Sequence, residues 1–177
     1  GHFQVSRRID ERRRVEVAPG FHWSATHIGG LSIPARAVSL DWFVNPHERV
    51  EFTGALFTGR NLAKLGAGGV RQGFIVRNPQ RAALSIIPVR TRGGWAQVTF
   101  VATSRLSFNL SGGQDDPRNQ DLGAGGIVKN LAYAANVFYR LAPNVVVGAE
   151  ASQVRTSYLG GRRPLNNHYD LAVAYLF

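Results

Sequence analysis

Cysteine and methionine are both absent from the 177 residues. Without cysteine, disulfides and thiolate metal sites are excluded, and the redox compartment is left open. A chain that starts at Gly1 and holds no methionine is expected to be a processed or partial product that has lost a signal sequence or a larger N-terminal region. Long apolar runs are missing as well. The longest spans only a few residues, against the ~20 that a membrane-spanning helix requires, so any crossing of a bilayer would be made by strands. No period of 3.6 is sustained anywhere, which excludes amphipathic helices as the main element. Charge is sparse: Asp, Glu, Lys and Arg make up 18% of the chain, below the ~25% usual for soluble domains. Acidic residues are the scarcer sign, 11 against 21 basic ones, for a net charge of +10.

What is present is glycine, at 20 residues, and an apolar content of 44%. The apolar residues recur at every second position, the signature of strands whose two faces meet different surroundings. Val15, Val17, Phe21 and Trp23 alternate with Glu16, Gly20, His22 and Ser24; Val38, Leu40, Trp42 and Val44 alternate with Ser39 and Asp41. Val50 and Phe52 oppose Glu51 and Thr53, and Ala96, Val98 and Phe100 oppose Gln97 and Thr99. Further along, Leu106, Phe108 and Leu110 face away from Arg105, Ser107 and Asn109, and Leu131 to Tyr139 oppose Asn130, Asn136 and Arg140. Val145, Val147 and Ala149 oppose Gly148 and Glu150, and the last segment sets Tyr169, Leu171, Val173, Tyr175 and Phe177 against His168 and Asp170. Eight strands are predicted.

Connections alternate in length. Short ones fall at 45–48, 102–105 and 141–144, where Pro and Asn set turns; longer ones fall at 59–93, 112–126 and 160–166. An all-β meander of antiparallel strands is the fold class expected, as one region over 13–177 with residues 1–12 as a basic remnant or turn.

Alternation alone does not say which face is inside. A soluble up-and-down barrel turns its apolar face inward and needs a hydrophilic exterior. Here the other face is Gly, Ala, Ser and Asn with isolated charges, a poor exterior but a plausible lumen. Aromatic residues sit toward both ends: Trp42, Phe100, Tyr139, Tyr175 and Phe177 near the short turns, and Trp23, Trp95, Tyr158 and Tyr169 toward the long connections. Paired aromatic girdles belong to transmembrane barrels.

The terminal strand, apolar at alternate positions and carrying Tyr175 and Phe177, resembles the C-terminal signature of bacterial outer-membrane β-barrel proteins. The pattern extends over 13–177, and "NLAYAANVFYRLAPNVVVGAE" resembles a late hairpin of porin-like barrels. The resemblance implies an up-and-down transmembrane barrel, the eight strands being part of a larger one, in the outer membrane of a Gram-negative bacterium. It implies as partners outer-membrane lipid and lipopolysaccharide, small solutes, and the barrel assembly machinery, which reads the terminal strand. A passive channel for small solutes is the function expected, with anions among them. A small closed barrel with a structural or adhesion role is the alternative, and an outer-membrane acyl hydrolase a third.

With the apolar face toward lipid, the lumen would hold His22, Asp41, Glu51, Arg105, Asn109, Asn130, Asn136, Arg140, Glu150, His168 and Asp170. In an eight-stranded barrel these would fill the interior as a paired network; in a wider one they would line water. The stretch 59–93 carries Arg60, Lys64, Arg71, Arg77, Arg81, Arg90 and Arg92 with no acidic residue. Folded into a lumen it would attract anions; left outside it would bridge anionic lipopolysaccharide. Such a length is unusual for an idle connection. His22 with Ser24, and His168 with Asp170, are the only same-face pairs that suggest nucleophilic catalysis, and polar lumen residues at period two account for them equally well. Three aspartates in "GGQDDPRNQD" could hold Ca²⁺, although the composition also fits a plain loop. "GAGG" at 66–69 and 123–126 lacks the Lys-Ser/Thr and helix of a phosphate loop. No catalytic residue, metal or cofactor is expected. Nor is nucleic acid, since stacking aromatics do not share a face with the basic residues.

Overall fold

The computed structural model describes residues 1–10, 13–65, 72–77 and 85–175. Among these described residues eleven strands form: β1 Val5–Arg8, β2 Arg14–Ile28, β3 Leu31–His47, β4 Val50–Arg60, β5 Phe74–Arg77, β6 Ser85–Pro88, β7 Arg90–Val101, β8 Leu106–Pro117, β9 Ile127–Ala142, β10 Val145–Tyr158 and β11 Leu165–Tyr175. Nine of them make one sheet in the order β1-β2-β3-β4-β7-β8-β9-β10-β11, and β5 pairs with β6 in a second. Every neighbouring pair is antiparallel. The chain is an up-and-down all-β array, one strand longer than the eight predicted. The extra strand is β1, inside the basic segment 1–12: Val5 and Arg7 pair with Val17 and Val15.

Strands overrun the lengths that alternation suggests. The β2–β3 connection, on the side where long connections are expected, is only Gly29–Gly30, both with positive φ (54° and 80°). Two successive left-handed residues are what a tight hairpin needs to match the twist of its strands, and only glycine adopts them at no cost. The pattern fades beyond Trp23 and before Val38, yet Ala25, Thr26, Ile33 and Pro34 still pair. β8 likewise runs through Gly112 and Gly113 as far as Pro117.

Large apolar side chains are exposed along one face of the sheet: Phe21, Trp23, Val38, Leu40, Phe52, Leu56, Val98, Phe100, Leu110 and Tyr133 among them. On β9 this face runs from Leu131 to Leu141, roughly 34 Å along a strand at ~3.4 Å per residue and about 26 Å along a normal tilted by ~40°. That height matches the ~25 Å apolar band of an outer-membrane barrel. All described residues of β11 are exposed, side chains on both faces. Among the described residues β1 and β11 are bonded on one side only.

Candidate functional site: a polar face with a hydrogen-bonded row

Opposite the apolar face, strand register stacks the remaining side chains into rows. One row runs Glu51, Thr99, Asn109, Asn136, Glu150, Asp170 across β4 and β7 to β11. Its middle is a chain of hydrogen bonds. Thr99 Oγ1 donates to Asn109 Oδ1 at 2.6 Å, Asn109 Nδ2 to Asn136 Oδ1 at 2.6 Å, and Asn136 Nδ2 to Glu150 Oε2 at 3.1 Å. Gln97, one row above, donates to Thr99 and more weakly to Asn109. Asn109 is 8% exposed. Side-chain amides suit this job because each offers an acceptor and donors at once, so one residue can pass a bond from strand to strand.

Five of the residues singled out from the sequence, Glu51, Asn109, Asn136, Glu150 and Asp170, therefore share one level. The others are dispersed. His168 pairs with Ser152 in the row above, which continues through Ala134, Ser111, Gln97 and Thr53 to Phe43 and Glu16. There Arg14 stacks on Phe43 (4.5 Å) and contacts Glu16 (2.9 Å). Asp41 lies in the next row opposite Ala18 and Ala55, with His2 3.7 Å away. Asn130 faces Asp115 and Thr156, and His22 faces Ala37 at the far end of the sheet. Arg140 donates from its guanidinium to the Pro143 carbonyl in the short turn. Arg105 is not on a strand: it belongs to the turn before β8, its carbonyl accepting from Arg140 N.

Three further placements depart from the sequence reading. Trp95 has the parity of Gln97 and Thr99 and stands over Gly113, so it projects from the polar face and is no lipid-facing girdle residue. Arg60, Arg90 and Arg92 lie at strand ends and share the parity of Leu56, Val98 and Phe100, hence the apolar face. They are not loop residues, because β4 and β7 extend the ladder through them. Trp23, Trp42, Phe100, Tyr139, Tyr169 and Tyr175 keep apolar-face positions, whereas Tyr158 ends β10 beside a register shift. Arg71, Arg81 and Phe177 lie outside the described residues; Arg77 ends β5 and Lys64 is exposed.

The long excursion between β4 and β7 comes back over the polar face. Leu62 meets the position where Gly59 would carry a Cβ, and with Leu65 it borders a cleft of about 380 Å³ whose floor includes Ala37, Ser39, Asp41 and Phe57. Asn61 Nδ2 reaches Thr26 Oγ1 and the Ile33 carbonyl on the β2–β3 hairpin. On the opposite side the Gln72 side-chain amide makes a pair of hydrogen bonds with the Ile127 backbone, Nε2 donating to the carbonyl at 2.9 Å and Oε1 accepting from the N–H at 2.8 Å. Val89 is 0% exposed. The excursion thus spans from β2–β3 to the start of β9. "GFIV" (73–76) and "ALSII" (83–87), whose apolar character suggests packing, pair with each other through β5 and β6, Ala83 and Leu84 lying outside the described residues. Asn61 and Gln72 carry no distinguishing sequence signal, since an amide in a loop is unremarkable until its partner is known.

The three aspartates of 112–121 are spoken for. Asp115 accepts from Thr91, Asp116 from Arg92 at 3.3 Å, and Asp121 from Arg90 through two bonds of 2.6 Å. The Arg90 guanidinium and backbone N–H hold the buried Asp121 carboxyl below its ordinary range. Among the described residues no cluster of three His, Asp or Glu side chains is placed to hold a metal ion. His22 Nε2 and Ser24 Oγ do meet, at 2.7 Å.

A solved structure shares this strand array. The outer membrane channel DcaP of Acinetobacter baumannii superposes with a TM-score of 0.70 over 99% of this chain, at 10% identity. The fold is that of an outer-membrane channel. At such low identity the likeness extends to the fold alone, and the chain spans 62% of the channel's length. No family model matches the chain, and no curated protein matches it significantly.

Proposed function

We propose that the chain forms part of the wall of a porin-like channel in the bacterial outer membrane, passing small polar solutes by diffusion. The observation that carries this reading is the separation of faces: a lipid-height apolar band on one side, and on the other a polar row running across the strands, with the excursion lying over the same polar face toward the long-connection end. Further strands bonded to β1 and β11 close the sheet, because backbone N–H and C=O groups left open within a bilayer cost several kcal/mol each.

Anion preference, which the basic composition suggests, loses part of its basis. Arg60, Arg90 and Arg92 face away from the polar side, while Glu51, Glu150 and Asp170 face into it. The passage accordingly favours cations and neutral solutes over anions. The test is conductance of the natural-length protein in a planar bilayer under a salt gradient. The expected reversal potential has the sign of cation preference and moves toward zero in Glu150→Gln combined with Asp170→Asn. A folded, inserted protein that conducts nothing would leave the non-conducting barrel as the reading.

A second reading, acyl hydrolysis, is favoured only by the contact of His22 with Ser24. Among the described residues no carboxylate is seen to orient that imidazole, which a Ser-His-acid set requires. Turnover of an acyl ester that disappears in both His22→Ala and Ser24→Ala would establish it.

A further inference from the structure

The polar face carries three aromatic side chains on neighbouring strands, Phe43 on β3, Phe57 on β4 and Trp95 on β7. In the rows of Phe43 and Trp95, β8 and β9 carry only Ser111, Gly113, Ala132 and Ala134. The rings therefore stand together at one place on the wall. Its floor is made of small residues. Asp41 lies directly opposite Ala55 on one side and Trp95 directly opposite it on the other, while Phe57 is two residues along the same face of β4. Two strand spacings of ~4.8 Å separate the Asp41 and Trp95 backbones by about 10 Å, room for one ring-sized body between their side chains. Gly93 leaves space for the Phe57 ring, which reaches onto β7 beside Trp95.

Asp41 belongs to two clefts at once. One, of about 380 Å³, it shares with Phe57, Leu62 and Leu65; the other, of about 340 Å³, with Phe43, Trp95 and Glu16. The Asp41 side chain is nearly half exposed, and its ion-pair contact is His2 at 3.7 Å, beyond hydrogen-bond length. Among the described residues no protein group donates a hydrogen bond to it. Glu16 differs. Arg14 holds it at 2.9 Å, and the same guanidinium lies 4.5 Å from the centre of the Phe43 ring. A cation between a carboxylate and a ring face is thus already present one row away, supplied by the protein itself. Asp41 with Phe57 and Trp95 repeats the carboxylate and the rings without an internal cation. Aromatic faces attract cations, tryptophan most strongly. A hydrated inorganic ion gains nothing from the leucines of the excursion, whereas the apolar part of an organic cation does.

We propose that Asp41, Phe57 and Trp95 form a binding site for small organic ammonium ions that carry an apolar group, the ammonium meeting the Asp41 carboxylate and the apolar group packing against the rings. The inference rests on the channel reading above, because a solute reaches this face through the lumen, and it names a solute class within the cation preference.

The test is the single-channel current of the natural-length protein in a planar bilayer, with phenethylammonium, ethylammonium or the neutral phenethyl alcohol added on one side. The expected result is a reversible, saturable block by phenethylammonium, half-complete at a concentration about tenfold below that for ethylammonium, the ring accounting for the difference. Phenethyl alcohol should block far less. Asp41→Asn should weaken block by both ammonium ions, about tenfold for phenethylammonium, roughly the worth of one charge-assisted bond. Trp95→Leu should weaken phenethylammonium alone, about threefold, as for a cation over a ring at an exposed site. A general negative field in the lumen would make no such distinction between the two ions. Should Trp95→Leu not give a folded, heat-modifiable form, Trp95→Phe keeps a weaker ring, and a smaller weakening of phenethylammonium alone is expected. Equal block by phenethyl alcohol overturns the ammonium as the group recognised. A folded, conducting protein whose block is indifferent to both substitutions overturns the site and leaves the channel reading untouched. A protein that inserts and conducts nothing removes the channel and this site with it.

Discussion

Replacing Asn109 by alanine tests whether the polar row holds the sheet together. Asn109 accepts from Thr99 and donates to Asn136, both at 2.6 Å, while the contact from Gln97 at 3.4 Å is weak. Two well-formed bonds at ~1 kcal/mol net each give about 2 kcal/mol. The orphaned Asn136 carbonyl adds little if water can reach it. It would add ~1–3 kcal/mol in a dry interior, where an unmet acceptor keeps its desolvation cost. The expected loss for a water-lined face is therefore about 2 kcal/mol, and for a packed interior about 4. The assay is guanidinium unfolding of the refolded protein in detergent, followed by tryptophan fluorescence. With a slope of ~4 kcal/mol/M, the wet case moves the midpoint by about 0.5 M and the dry case by about 1 M. Ser111→Ala, two residues on and in the row above, is the control; it should stay within ~0.5 kcal/mol, as surface substitutions usually do. A shift for Asn109→Ala no larger than the control's would refute the claim that the row carries cross-strand stability.

Other expectations follow from single contacts. Asp121→Asn breaks the pair with Arg90, whose side chain is half exposed; a small loss of stability is expected, read as faster tryptic cleavage near Arg118. Because the Asp121 carboxyl is held below its ordinary value of 3.8, its contribution is complete above that value and fades as pH falls through the lower folded one. Wild type and Asp121→Asn should thus converge in unfolding midpoint in acid, and a constant difference across pH would show that the ion pair is not its origin. A Cβ on Gly54 would run into the Trp42 ring and the Trp95 carbonyl. Gly54→Val is consequently expected to cost ~1–3 kcal/mol and to lower the heat-modifiable fraction. Gln72→Ala frees the excursion from Ile127; larger and noisier single-channel currents are expected, with unfolding little changed.

The alternation of Val, Leu, Phe and Tyr with small and polar residues determined the strands, their antiparallel order and the two-faced sheet. Period two leaves no other way to segregate those side chains. It also made Glu51, Asn109, Asn136, Glu150 and Asp170 legible as residues of one face. Whether they meet was a different matter. Their shared level follows from cross-strand register, which turn lengths and bulges set and no local pattern records. The same holds for the arginines. As a run of sequence, 59–93 reads as one basic loop; only pairing to Arg36 and Val98's strand shows that Arg60, Arg90 and Arg92 extend the ladder on the apolar face. The excursion's path was likewise beyond sequence, since Asn61 and Gln72 act through partners more than 25 and 50 residues away. Local periodicity fixes which side of a strand a residue takes. Which residues become neighbours is decided by long-range pairing, and the site consists of neighbours.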